Sequence, residues 1–435
     1  MNRPARLPAP PLPAALTTFA ALVGIDWSDS KNDICLYDCA SQQRELVQVP
    51  STPEAVEAWL QALRRRFGGR PVAVVYEENR GPLTYQLMAV EFLTLYLVNP
   101  ATAARYRETF TPSGAKDDPT DAADLLDLLI KHADRLRILH AHDPQTRELA
   151  RLCEQRRRFV DLRTAQLQRL GRELKNYFPQ ASLLVGEDLA TNLACDFLQR
   201  WPSLPAVQRA KTQTVRAFYY GHQCRSRAAL QERLALIAVA KPVTEDASLV
   251  TPAVLTVTAL AATIRTLNAA IDTFDTAIAA ILAQHPEAPI FNSLPGAGPV
   301  MAARLTAFFG TDRRRYPTPG DVQQFSGIAP VLVRSGNQQW VHRRWCCPKF
   351  ILQTFHEYAR CSLNQSAWAL KYYQRQRDRG KKHHAAIRAL AFKWIRVIHA
   401  CWLSRTPYDE ARYVEALRRH GSPAAPALDA AIVAH

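Results

Sequence analysis

Short apolar runs that end on acids dominate the first third of the chain. Residues 22–26, Leu-Val-Gly-Ile-Asp, read as a buried strand closing on Asp26. Residues 72–76 repeat that pattern immediately before Glu77 and Glu78. Runs at 33–37, 45–49 and 93–98 read as neighbouring strands. Between them Val56, Leu60 and Leu63 fall at helical spacing over 53–67, with Thr52 placed as N-cap. A further helix before residue 93 and another opening at Pro119 complete the unit. Strands alternating with helices predict a sheet with helical cover.

The pattern then becomes purely helical. Cys153, Val160, Leu167 and Leu174 recur every seven residues, while Arg156 and Arg163 interrupt the companion row. A second long helix is cleaner: Val257, Ile264, Ile271 and Ile278 form one row, and Leu260, Leu267, Phe274 and Ile281 the other. Such heptads predict a coiled coil or a long antiparallel hairpin. A long helix buried in a bundle is the alternative, because the Ala-rich flanks carry no e/g charges. A turn-rich stretch from Phe291 leads into a basic helical remainder. The expected organisation is a disordered Pro-rich tail (1–19), an α/β domain (20–140), a helical coiled-coil domain (141–286), a mainly helical domain (287–420) and a flexible tail (421–435).

Composition narrows the function. At 435 residues, 48% hydrophobic and 22% charged, most of the chain has the means to fold as two or three domains. Purely apolar stretches such as 92–98 fall far short of the roughly 20 residues that span a bilayer, so no membrane partner is expected. Prolines at 8, 10, 11 and 13 stand where a signal peptide needs an apolar helix, and nine cysteines without a repeating framework suit a reducing cytoplasm. The net charge of +16 points to a polyanion, foremost nucleic acid. It is unevenly placed: −2 over 1–140, +6 over 141–330 and +13 over 331–420.

Four constellations carry candidate chemistry. Asp26 and Glu77 end strands, and Asp118 and Asp121 lie on one face of the helix near Pro119. Carboxylates so arranged can converge on hard divalent cations, two of which can clamp the attacking and leaving oxygens of a phosphodiester. Glu78, Asp117, Asp124 and Asp127 are neighbours that spacing alone does not exclude, and Glu77 is preferred to Glu78 because it directly follows the apolar run. The second is the Pro295-Gly296-Ala297-Gly298 turn before a small-residue helix. It is similar to a helix-hairpin-helix turn whose N–H groups hold a phosphate, with Arg304 close behind. The third is Ser335-Gly336, an accessible hydroxyl flanked by Arg334, Arg343 and Arg344, which read blandly is only a turn. The fourth is a run of rings and cations from Trp368 to Arg396, including Lys381 and Lys382, suited to phosphate contact and base stacking. In it Ile387, Leu390, Trp394 and Ile398 are spaced to face a core.

Together these motifs resemble a known family. Gly24-Ile25-Asp26-Trp27-Ser28, the acid after the 72–76 run, Asn99-Pro100 and Lys116-Asp117-Asp118-Pro119-Thr120-Asp121-Ala122 are similar to the DEDD transposases of bacterial insertion sequences, relatives of Piv-type DNA invertases. The Leu-Pro-Gly-x-Gly turn, Gly327-Ile328-Ala329-Pro330, Ser335-Gly336 and the 340–345 block agree. One departure is Glu77-Glu78-Asn79-Arg80-Gly81, where many members have Glu-x-Thr-Gly. The resemblance implies an RNase H/RuvC-like first domain, a coiled-coil middle and a helical transposase domain. It implies Mg²⁺ held by Asp26, Glu77, Asp118 and Asp121, and Ser335 as a nucleophile forming a phosphoserine link to DNA. From the residues themselves, nucleic-acid contacts are expected through Lys116, Gly296, Gly298, Arg304, Arg334, Arg343, Arg344, Lys381 and Lys382. The resemblance further implies a bridge RNA, a dimer that forms a tetramer on synapsed DNA, a composite site between subunits, and a cytoplasmic, nucleoid-associated protein. On the same fold, a RuvC-like nuclease would hydrolyse DNA with metal-activated water, and a degenerate acidic site would leave only a binding scaffold.

Overall fold

The computed structural model describes residues 12–77, 81–110 and 118–422, so Glu78, Lys116, Asp117 and both extreme tails lie outside the described residues. The chain forms two compact units, Met1–Ala141 and His142–His435.

In the first unit, β1 (Ala21–Trp27), β2 (Lys31–Asp38) and β3 (Arg44–Pro50) form an antiparallel meander. Helix α1 (Pro53–Phe67) follows, opened by the Thr52 hydroxyl, which accepts from the Ala55 N–H. Strand β4 (Val72–Glu77), α2 (Pro82–Met88), β5 (Leu93–Val98), α3 (Pro100–Phe110), α4 (Asp118–His132) and the two-residue β6 (Arg137–Ile138) complete it. The strand order is β3-β2-β1-β4-β5-β6, with β1, β4 and β5 parallel. Strands β1 and β4 are buried on both faces, which is why they read as unbroken apolar runs. Val23, Ile25, Val74 and Tyr76 pack on the α1 side; Leu22, Ala73 and Val75 pack under α4.

Gly24 sets how closely α4 approaches β1. A Cβ there would sit 2.3 Å from the Ala122 carbonyl oxygen and 2.7 Å from the Leu126 nitrogen, both backbone atoms. Gly24→Ala is therefore expected to lift α4 from the sheet and to cost about 1–3 kcal/mol, as overpacking does. Calorimetry of the full chain measures this, and an unchanged unfolding profile would show that α4 is not seated on β1.

The second unit begins with α5 (Pro144–Tyr177). Five shorter helices follow: α6 (Ala181–Val185), α7 (Asn192–Arg200), α8 (Leu204–Gln208), α9 (Thr212–Gly221) and α10 (Arg227–Val239). Then α11 (Ala247–Gln284) runs back antiparallel to α5, since Arg163, Arg156 and Gln145 meet Asn268, Asp275 and Ile281 in reversed order. The two arginines that interrupt the helical row therefore reach across it. Asn268, buried, also donates to the Ala190 carbonyl at 2.7 Å and so ties the pair to the residues before α7. Val257, Ile264, Ile271 and Ile278 are buried as their spacing predicts, whereas Leu267, Phe274 and Ile281 are half-buried. Among the described residues α11 alone is long and apolar enough to cross a membrane, yet its buried row packs within this unit and it carries Asp272 and Asp275.

Beyond it lie α12 (Ala288–Asn292), α13 (Pro299–Phe309), α14 (Pro319–Phe325), the hairpin β7 (Val331–Ser335) and β8 (Gln338–His342), α15 (Lys349–Cys361), α16 (Ala367–Asp378), α17 (His383–Ser404) and α18 (Glu410–Arg419). Ile387, Leu390, Trp394 and Ile398 are fully buried, as their spacing predicts, beside Trp368 and Trp402. Their core is continuous with Leu149 and Cys153 of α5 and Ile278 and Leu282 of α11.

Candidate functional site

Asp26 and Glu77 stand at the C-terminal ends of β1 and β4, one residue beyond the paired Ile25 and Tyr76. Alternation along a strand puts both on the face that α4 covers, the face of Gly24 and Val75. Asp118 is the first residue of α4, and Asp121 lies one turn further on. Glu77 and Asp121 line one small pocket together with Asp124, Tyr106 and Arg107. The Arg107 guanidinium donates from Nη1 to Asp121 Oδ2 at 2.7 Å, and the charges of Glu77 and Asp124 add to its hold. The other Asp121 oxygen is buried and, like Asp124 Oδ2, has no hydrogen-bond partner among the described residues. Burial first, and the charges of Asp121 and Asp127 next, push the Asp124 carboxyl above its ordinary range. Directly opposite Asp26 across the β1–β2 pair is Asp33, buried, held by Lys31 at 3.1 Å and by the Gln48 amide at 2.9 Å.

The pocket is rich in acids, and two of their oxygens lack a hydrogen-bond partner among the described residues. No group of three carboxylates, imidazoles or thiolates among the described residues is already drawn together as a metal cage. The ligand set nonetheless fits a hard divalent cation: it is carboxylate oxygen, and one Asp121 oxygen is buried without a donor among the described residues. Sequence reading named Asp124 only as a neighbour of the acids, and Arg107 not at all. Asp124 carried a signal, its i, i+3 spacing from Asp121. Arg107 carried none, because its pairing spans α3 and α4.

Ser335 occupies a different setting in the second unit. It is the last residue of β7, paired with Gln338, and the two-residue turn Gly336-Asn337 sits at the tip. Gly336 has φ +56°, a left-handed value that glycine adopts without strain. Every residue of the hairpin except Val331 is exposed, Ser335 and Arg334 included, and Trp340 retains 43% of its surface. Cross-strand pairing places Ser335 on the same face as Val333 and Trp340, and Arg334 on the other. Ser335 is thus exposed beside the hairpin tip, with Arg334 on the other face and Arg343 and Arg344 following the far end of β8. Arg343 lies over the Trp345 ring at 5.2 Å, Arg344 is half-buried, and Lys381 and Lys382 are exposed at the start of α17.

The glycine turn differs from its sequence reading. Gly296, at φ +78°, packs its α-carbon against the Cys361–Ser362 backbone, and its N–H already donates to the Gln365 side chain at 2.8 Å. Gly298 is the N-cap of α13 with open space around it. Arg304 is a correction. It is 5% exposed, bonded to Glu357 at 2.6 Å and Thr354 at 3.0 Å, and stacked on Phe350, so its guanidinium serves the core and cannot reach a phosphate. Burial lowers its pKa, and the Glu357 carboxylate opposes that shift.

Two family profiles match the chain: a transposase profile of the IS110 DEDD type over residues 23–179, and that of the IS116/IS110/IS902 transposase family over 288–374. Between them they cover more than half of its length. The chain belongs to the IS110 family of DEDD transposases. Among IS110-family relatives, the IS117 mini-circle protein of Streptomyces coelicolor is 26% identical over 409 residues, covering 92% of this chain and 97% of that one. The 43.6 kDa protein of insertion element IS110 from the same organism is 26% identical over 369 residues, 83% of this chain and 89% of its own. As an IS110-family transposase the protein is a DNA-cleaving and rejoining enzyme, and membership of the DEDD class implies a divalent-metal-dependent nuclease. The first profile spans Asp26, Glu77, Asp118 and Asp121, and the second spans Ser335.

Proposed function

We propose that this transposase cuts and rejoins DNA by phosphodiester transesterification, with Mg²⁺ held by Asp26, Glu77, Asp118 and Asp121 and with Ser335 as nucleophile. The observation that carries this reading is that Glu77 and Asp121 line one pocket, on the sheet face to which strand alternation also assigns Asp26, and that one Asp121 oxygen is buried without a donor among the described residues. The strand order and the position of α4 support an RNase H/RuvC-like first unit, and the antiparallel α5–α11 pair supports the coiled-coil reading. Bound Mg²⁺ would offset charge on the phosphate oxygens and make the attacking hydroxyl more acidic. The Ser335 Oγ–P bond forms as the bond from phosphorus to one sugar oxygen breaks. The serine proton passes to solvent, and the departing sugar oxygen takes one up. Attack by a sugar hydroxyl of another strand reverses the step and frees the serine, so rejoining needs no nucleotide cofactor.

A bridge RNA that pairs with donor and target DNA would choose the sites, and a dimer assembling into a tetramer would hold the synapsed DNA. The charge distribution supports this division, because +13 over 331–420 suits backbone contact, leaving sequence to base pairing. Purifying the full chain with its bound nucleic acid and sequencing the RNA tests it. One discrete RNA is expected, and plasmid recombination is expected only when that RNA is supplied. Recovery of random cellular RNA, or equal recombination without RNA, would overturn guidance.

A further inference from the structure

The aromatic and basic run of 368–396 divides in two. Trp368 and Trp394 are fully buried, where Trp394 donates to the Ser362 hydroxyl and Trp368 to the Tyr408 hydroxyl. What remains at the surface is a groove of about 1410 Å³ lined by α16, α17 and α18, of whose lining only Tyr372 falls within the segment 288–374 that the second family profile matches. That volume exceeds the roughly 300–1,000 Å³ of small-molecule pockets and suits a length of polymer.

Its lining carries three cations and two carboxylates. Lys393, Arg396 and Arg412 line it, and none of the three makes a salt bridge among the described residues. The two acids of the wall are already engaged: Asp409 accepts the Arg412 N–H, and Glu410 accepts the Ser366 and Tyr408 hydroxyls. The Lys393 ammonium sits 5.5 Å from the Tyr372 ring centre, and burial together with the nearby Arg396 charge holds it below the usual lysine range. Lys393 and Arg396 thus stand near each other, neither in a salt bridge among the described residues, beside the half-buried rings of Tyr372 and Tyr413. A polyanion with exposed bases fits this combination, because cations follow a backbone while rings stack on bases that a duplex keeps inside.

We propose that this groove binds single-stranded DNA, with phosphates on Lys393, Arg396 and Arg412 and bases against Tyr372 and Tyr413. Cutting by a transposase frees strand ends, so the established reaction supplies the ligand. The inference rests on DNA as substrate, not on Ser335 or on a guide RNA. Fluorescence anisotropy with the full chain tests it, using an oligodeoxythymidine of about 15 nucleotides over a salt series. Arg396 and Arg412 are exposed, so an Arg396→Gln/Arg412→Gln variant is expected to stay folded. Its affinity for the oligomer should fall about tenfold or more. The slope of log K against log salt should shrink by about 1.4, or 0.7 for each phosphate that the variant no longer neutralises. Affinity for a blunt duplex of equal length should hold. An unchanged oligomer affinity and slope would overturn the assignment, as would an equal loss on duplex. Preferential binding of oligouridine, lost in the same variant, would assign the groove to RNA and overturn it for DNA.

Discussion

Replacing Ser335 with alanine is expected to abolish the covalent protein–DNA adduct and to lower recombination by more than about 10³-fold, the scale on which removal of an activated nucleophile acts. The fold should not suffer. Ser335 is exposed at the end of a two-stranded hairpin, and substitutions at such positions usually stay within about 0.5 kcal/mol. Thermal unfolding and DNA binding of Ser335→Ala should therefore match the parent chain, which separates lost chemistry from lost structure. The measurement is denaturing electrophoresis of protein incubated with end-labelled DNA and Mg²⁺. A shifted, protease-sensitive band is expected for the parent and none for the variant. If Ser335→Ala still cuts at the parental rate and neither protein leaves an adduct, a metal-activated water is the nucleophile. The chain is then a RuvC-like nuclease in its chemistry.

The acids were legible because the strands that carry them are buried on both faces. A central parallel strand reads as an apolar run, and the polar residue that ends it marks the sheet edge where sites form. Asp26 and Glu77 stood out for that reason. The role of Gly24 did not, because no local spacing tells that the Ala122 carbonyl lies above it. Arginine was the residue type that sequence read least well. Arg156 and Arg163 read as breaks in a helical row, yet they reach across it to Asp275 and Asn268. Arg304 read as a phosphate contact, yet Glu357, 53 positions on, takes its charge inside the core. Arg107 had no reading at all. A guanidinium on a long stem is placed by its partner, and partners distant in sequence leave no periodic trace. The tryptophans show the converse: helical spacing sent Trp394 to the core correctly, while the groove beside it needed the loop before α18 and Arg412 to be seen.

Asp121→Asn and Glu77→Gln are each expected to remove Mg²⁺-dependent strand cutting, again by more than about 10³-fold, and to do so by loss of the metal. The distinguishing readout is stability, not activity. A cation that binds only the folded protein raises its unfolding free energy by about 2.7 kcal/mol at one hundred times its Kd. Titrating Mg²⁺ or Mn²⁺ during thermal denaturation should therefore raise the melting point of the parent and leave both variants flat. Arg107 acts in the opposite direction. Its guanidinium holds one Asp121 oxygen at 2.7 Å within the same pocket as Glu77, so it neutralises charge that a divalent cation would otherwise meet. Arg107→Gln is then expected to shift the metal-dependent stabilisation to lower Mn²⁺ concentration, the opposite direction from the acid variants. Were Asp121→Asn to keep the full metal-dependent rise in melting point, Asp121 would not be a ligand. Its pairing with Arg107 would then be a structural link between α3 and α4.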